Sequence, residues 1–284
     1  MTAMISVTLQ EAIRKKTFIV MTILSVLYLI LWTILLYYYN DSGVRAQDYA
    51  EINTMADLMI TQMGFQFSSM LLSLLTIMLA AGSISNEVES GMVHAILSRP
   101  IRRSSYVLGR FLGLAILAAV YSTVFFAVLL IVGRIFSLQS VLALHPGQIF
   151  HSWLLYTLVP ICLLCLTMCG STWIKTVPNG LLMIFVYILG NIGGTVEMIG
   201  NYMDNAGVIG SGIFISLISP FHTLYTEAQR VLLPPSSIAG DLMQSMGGMF
   251  GSGRAASSPM FVYIALYAAG LLWLATYRFR KRDI

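Results

Sequence analysis

The stretch NEVESGMVHAILSRPIRRSSYVLGR, residues 86–110, lies between two long apolar runs and holds almost every charge for some distance on either side. Asn86 can cap a helix whose third residue is Glu89, an arrangement like a capping box. Val88, Met92 and Ile96 recur at helical spacing, with Val93 and Leu97 on the adjoining row, which gives the segment an apolar stripe. Pro100 disfavours helical geometry at Arg99, so the helix stops there. Arg102, Arg103 and Arg110 follow at the mouth of the next apolar run. The pattern predicts a short capped helix over residues 85–100, held at a membrane face and joined to a span on each side. Two uses stay open on physics alone. The arginines can touch lipid phosphates, or the helix can be a lever on which a partner docks.

The rest of the chain sets that helix in a membrane. Of 284 residues, 57% are hydrophobic and only 10% are charged, and the mean hydropathy is +0.81. A soluble domain carries about 25% charged residues, so too little polar surface remains to cover a water-facing globule. A span needs about 20 apolar residues to cross roughly 30 Å of hydrocarbon. Residues 18–39, 65–84, 111–133, 150–173, 179–198 and 260–277 qualify, the fifth being interrupted by Gly190, Gly193 and Gly194. The first run follows Arg14, Lys15 and Lys16 and ends in three tyrosines instead of a small-residue cleavage site, which reads as a retained anchor. Ahead of it, Ile5, Leu9, Ala12 and Ile13 make residues 1–16 an amphipathic helix able to lie along the membrane surface.

Six spans place both termini on one side. Twelve of the sixteen basic residues fall on that side, and only Arg45, Arg134, Arg230 and Arg254 fall on the other. The bias predicts that both termini are cytoplasmic. The stretch VIGSGIFISLISPFHTLY, residues 208–225, is apolar yet interrupted by Gly210, Gly212 and Pro220. A full seventh crossing would put the basic tail outside, so this stretch is expected to be re-entrant or interfacial, covered by protein or water. Residues 199–259 then form an outer cap, in which Met243, Met246 and Met249 sit three apart as packing residues do. The expected fold is an all-α polytopic membrane protein: one domain, residues 1–284, with six transmembrane helices, an N-terminal amphipathic helix, a cytoplasmic helix between spans 2 and 3, and an outer re-entrant cap before span 6.

Chemistry-bearing motifs are scarce. There is no Gly-rich phosphate loop ending in Lys-Ser or Lys-Thr, so this chain holds no nucleotide in that way. His94, His145, His151 and His222 share no metal-binding spacing, and Cys162, Cys165 and Cys169 fall on one helix face as small buried hydrophobes do, with a soft-metal site such as one for Cu(I) as the alternative. No basic run interleaved with aromatics points to nucleic acid. The spans are nearly free of the ionisable groups that ion-driven carriers bury. Glu197 is the one acid near a span interior, close to its outer end. The energy for any transport is therefore expected to come from a partner.

The segment NEVESGMVHAILSRPIRRSSYVLGRFLG resembles the signature loop of the type 2 ABC transporter permease family, through Glu87, Gly91, Leu97, Ser98, Pro100, Arg103, Leu108, Gly109 and Arg110. The tail YRFRKRDI, the start LQEAIRKKTF and the outer Ser219-Pro220-Phe221 are similar to the family as well. The resemblance implies the permease half of an ATP-driven transporter, usually an exporter, in the plasma or inner membrane of a prokaryote. Its partners would be two ABC ATPase subunits, a second copy of itself or a homologous permease, and membrane lipid, with no nucleic acid. No cofactor is expected in this chain, and ATP and Mg would sit on the partner ATPase. The loop carrying Glu87, Glu89, Gly91, Leu97, Arg99, Pro100, Arg102 and Arg103 would couple to that ATPase, with the charge of Glu87 facing it. Asn191, Glu197, Ser219, Pro220 and Phe221 would belong to the pathway or its gate. Ser68, Ser69, Ser73, Thr76 and Asn191 among apolar spans suit a hydrophobic or amphipathic cargo. An ion-coupled secondary transporter and a non-transport membrane assembly protein are the alternatives.

Overall fold

A computed structural model describes residues 2–41, 50–89, 103–136, 138–142, 144–232 and 258–281. Among them the chain is helical and has no strand. The helices are α1 (Thr2–Arg14), α2 (Lys16–Asp41), α3 (Ala50–Ala80), α4 (Ser85–Glu89), α5 (Arg103–Ile135), α6 (Gln139–Leu142), α7 (Pro146–Ser171), α8 (Thr176–Tyr202), α9 (Ala206–Ile218), α10 (Phe221–Leu232) and α11 (Ser258–Lys281). Among the described residues six helical segments are long and apolar enough to cross a membrane: Lys16–Asp41, Ala56–Glu87, Ser104–Ile135, Pro146–Ser171, Thr176–Glu197 and Pro259–Lys281. Hydropathy along the sequence predicts the same number.

A helix that is apolar all round belongs at the centre of a bundle, and α7 is that helix. It packs against α3, α5, α8, α10 and α11. Leu155, Tyr156, Val159, Leu163 and Met168 fill the core, and the free thiols of Cys162, Cys165 and Cys169 are buried beside them. By contrast α2 buries only Ser25, Trp32 and Leu36 and lies at the edge, tied to α3 where the Tyr28 hydroxyl donates to the Gly64 carbonyl across 2.6 Å.

The glycines of the fifth span do not interrupt it. Helix α8 runs unbroken from Thr176 to Tyr202, and the glycines are its contact surface for α9 and the corner that leads into α10. A Cβ on Gly193 would lie 2.6 Å from Ile215 Cγ2, and one on Gly200 would lie 2.6 Å from the Ile209 backbone nitrogen. Gly190 meets Ser219 and Gly194 meets His222 in the same way. Helix-breaking propensity costs about 1 kcal/mol per glycine, and the close backbone approach of a packed helix pair offsets it.

Helix α9 thus returns antiparallel along α8 and stops at the level of Gly190. That is 12 residues short of Tyr202, or about 18 Å of helix rise. There α10 leaves at 101° to α9, the shape of a broken span or a re-entrant loop. The last carbonyls of α9 would be stranded in hydrocarbon. Two tyrosines of α11 cover them: Tyr263 donates to Leu217 O across 2.6 Å and Tyr267 to Ile218 O across 3.0 Å. Farther along, α10 is held by Ser152 Oγ donating to Ala228 O and by the paired amides of Gln62 and Gln229. Residues 233–257, with Met243, Met246 and Met249, lie outside the described residues.

Helix α1 packs along the start of α5. Its buried row is Thr8 and Ala12, with Met4 and Leu9 partly buried against the core, while Ile13 and Val7 are exposed. The row is turned slightly from the expected Ile5–Leu9–Ala12–Ile13 stripe, because Gly109 and Gly113 admit Met4 and Thr8.

Candidate functional site

At one end of the bundle, here the loop end, residues 81–89 meet α5, α7 and α8, and through α5 they are linked to α1 and α11. Helix α3 ends at Ala80, the chain turns through residues 81–84, and α4 begins at Ser85. Asn86 is therefore inside the helix and does not cap it. The first amides of a helix lack partners within it, and Ser171, at the end of α7, supplies one from a distance: its hydroxyl accepts from the Ile84 and Ser85 amides, each at 3.1 Å. Ser85 Oγ and Thr176 Oγ1 are 2.8 Å apart, and Asn179 Nδ2 donates to Ala81 O and Thr167 O. Both the turn and α4 are thereby fixed to the α7–α8 corner.

The charge on α4 also turns inward. Glu87 is buried and forms an ion pair with Arg110, itself only 4% exposed, and the Tyr106 hydroxyl donates to the Glu87 carboxylate. Arg110 Nη1 also donates to Glu11 Oε2 at 2.6 Å, and Lys15 Nζ lies 3.1 Å from Glu11 Oε1. One guanidinium therefore serves two carboxylates from different helices, a use its five donors allow. Partial burial works against the charge on Glu11, but the fields of Arg110 and Lys15 outweigh it and hold that carboxyl below its ordinary range. The Tyr106 ring stacks on Phe279 of α11, centroids 5.4 Å apart. Helices α1, α4, α5 and α11 meet in this one cluster.

Why α1 comes so close is legible in α5. Gly109 and Gly113 stand four apart, the small-xxx-small spacing that lets helices touch. A Cβ on Gly109 would lie 2.9 Å from Met4 Cβ, and one on Gly113 would lie 2.8 Å from Thr8 Cβ. Arg110 sits between the two glycines and reaches Glu11 one turn beyond Thr8.

The residues expected to couple to a partner divide accordingly. Glu87 does not face outward: its carboxylate is directed into the bundle by Arg110 and Tyr106. Glu89 is exposed at the end of α4. Arg103 opens α5, and Gly91, Leu97, Arg99, Pro100 and Arg102 lie outside the described residues. The expected gate residues fall elsewhere. Ser219, Pro220 and Phe221 are buried in the corner between α9 and α10, with Ser219 against Gly190. The Asn191 side chain bonds back to Tyr187 O, and the Glu197 backbone is the surface against which Gly212 packs. Ser68, Ser69, Ser73 and Thr76 are buried inside the bundle, with Ser68 Oγ 2.9 Å from the Tyr156 hydroxyl. Sequence reasoning left out Glu11, Tyr106, Ser171, Asn179 and Phe279. The Gly109–Gly113 spacing around a single arginine was the available signal.

The family model for ABC-2 family transporter proteins matches residues 5–284. The chain belongs to that family. It is an ABC transporter permease, the membrane component of a transporter and not itself the catalytic part, with several apolar helices crossing the membrane. ABC-2 permeases generally partner with ABC ATPase subunits. No curated protein matches the sequence. Among the described residues of this permease no group of three His, Cys, Asp or Glu side chains could hold a metal ion.

Proposed function

We propose that this permease exports a hydrophobic or amphipathic compound, driven by two separate ATPase subunits that dock on the loop between spans 2 and 3. The observation that carries the reading is the Glu87–Arg110–Glu11 cluster. It fixes the root of the loop to α1, α5 and α11, so force applied to the loop reaches several spans together. Glu87 and Arg110 are the anchor of the lever, while Glu89, Gly91, Leu97, Arg99, Pro100, Arg102 and Arg103 form the side offered to the ATPase. ATP and Mg act on the partner. A second copy of the chain, or a homologous permease, completes the pathway in a prokaryotic plasma or inner membrane, with both termini cytoplasmic. The gate is the α9–α10 hairpin, with Ser219, Pro220 and Phe221 at its tip and Asn191 and Glu197 on the helix it moves against. The cargo class follows from spans nearly free of ionisable groups, which offer little to an ion.

Reconstitution of the permease with its ATPase in liposomes tests this reading. Glu89→Lys and Arg103→Glu are expected to insert normally and to separate ATP hydrolysis from transport. Normal coupled transport in both would make the loop a plain connector and overturn the proposal. Flux driven by an ion gradient without ATP would identify a secondary carrier instead.

A further inference from the structure

At the loop end three exposed cations form no ion pair among the described residues. Lys175, in the corner between α7 and α8, and Arg278 and Lys281, in the last turn of α11, are all exposed. No side chain of the three makes a hydrogen bond or an ion pair among the described residues. Arg278 and Lys281 are instead each set over an aromatic ring. Arg278 Cζ lies 4.9 Å over the Trp173 ring, and Lys281 Nζ lies 4.7 Å over the Tyr277 ring. Tyr277 in turn stacks on Trp273, centroids 5.3 Å apart and planes 14° apart.

We propose that these residues form a binding site for the phosphate headgroup of an anionic phospholipid. A guanidinium held over an indole face leaves edge donors available, which suits two-point recognition of a phosphate. At 100° per residue, Lys281 falls between Tyr277 and Arg278 around the helix, so both cations of α11 reach one anion. Trp273 and Tyr277 lie within the candidate span Pro259–Lys281 and form the wall below the charges, where interfacial aromatics sit at headgroup level. Beneath them Leu266 and Val262 continue the same exposed face and receive the acyl chains. The row of exposed aromatic and aliphatic side chains under the cations favours a lipid over a soluble protein. The site needs only membrane placement and is independent of transport.

The test uses the purified full-length chain in nanodiscs of phosphatidylcholine, with and without phosphatidylglycerol. Retained lipid is read by native mass spectrometry and thermal stability by tryptophan fluorescence. Wild-type protein is expected to enrich phosphatidylglycerol and to be stabilised by it. Near an anionic surface each Lys or Arg contributes about 1 kcal/mol, so Arg278→Gln with Lys281→Gln should lower the preference about 30-fold, that is about 2 kcal/mol. Arg134→Gln, an exposed cation at the opposite end of the same bundle, serves as the control and should change nothing. Inorganic phosphate, lacking acyl chains, should not substitute for the lipid. An unchanged preference in the double variant, or equal protection by inorganic phosphate, would overturn the proposal. So would unchanged lipid retention with weakened ATPase binding, which would make the surface a protein-docking site.

Discussion

Arg110 Nη1 donates to Glu11 Oε2 across 2.6 Å, joining α5 to α1 over 99 positions of sequence. The same guanidinium neutralises Glu87, so its removal would leave a buried carboxylate without its counter-charge. Breaking such a pair costs about 3–5 kcal/mol. Arg110→Gln is therefore expected to lower the melting temperature and to speed amide exchange throughout α1, while Arg110→Lys retains part of both. Unchanged exchange in α1 would mean that the glycine contacts alone hold it.

Acid should loosen α1 first. The Glu11 carboxyl titrates below its ordinary value of 4.5 in the folded chain. A carboxylate depressed on folding contributes stability that is complete above the unfolded value and lost as pH falls through the folded one. Amide exchange in α1 is expected to rise as pH drops below about 4.5, and Glu11→Gln should remove that pH dependence. An identical acid response in Glu11→Gln would assign it to another group.

Ser171→Ala removes the common acceptor of the Ile84 and Ser85 amides. Leaving a buried donor unsatisfied costs about 1–3 kcal/mol. Faster exchange at those two amides is expected, with α4 frayed and the far end of the bundle unchanged. Retained protection would show that water takes over the role.

Two glycines of α9 separate packing from propensity. Gly212 faces the backbone of Glu197, where a Cβ would lie 2.5 Å from the nitrogen, whereas Gly210 faces open space. Gly212→Ala should destabilise by about 1–3 kcal/mol through overpacking. Gly210→Ala should be neutral or stabilising by up to about 1 kcal/mol, since alanine is the better helix former. Thermal unfolding of the two variants side by side reads the difference, and equal melting temperatures would refute the close α8–α9 contact.

What the sequence makes legible here depends on range. Spans follow from runs of apolar residues, and the break at Pro220 follows from local backbone chemistry. Pairings between distant segments do not follow. Glu87 reads as an outward charge because nothing near it in sequence shows that Arg110 will turn back to meet it. Asn86 has the composition of a cap, yet Ser171, 86 positions from Ser85, does that work. Gly190, Gly193 and Gly194 carry the same letters whether they end a helix or admit a neighbour, and only the return of α9 decides between the two. The α1 stripe is misread by a fraction of a turn for the same reason: its partner surface lies on α5.

The two phenols that cover Leu217 O and Ile218 O belong to residues synthesised after the hairpin they complete. A growing chain that has reached only residue 257 has made α9 and α10 but has no Tyr263 or Tyr267 to cover those carbonyls. Water is then their main source of donors, and half-depth in a bilayer provides little of it. The order of translation therefore differs from the order of burial, and the last helix settles the one before it. Ribosome-bound chains ending shortly before residue 258 are expected to keep residue 218 open to a water-soluble thiol reagent after its replacement by Cys. Full-length chains are expected to shield it. Equal labelling in both would mean that the hairpin reaches its depth unaided.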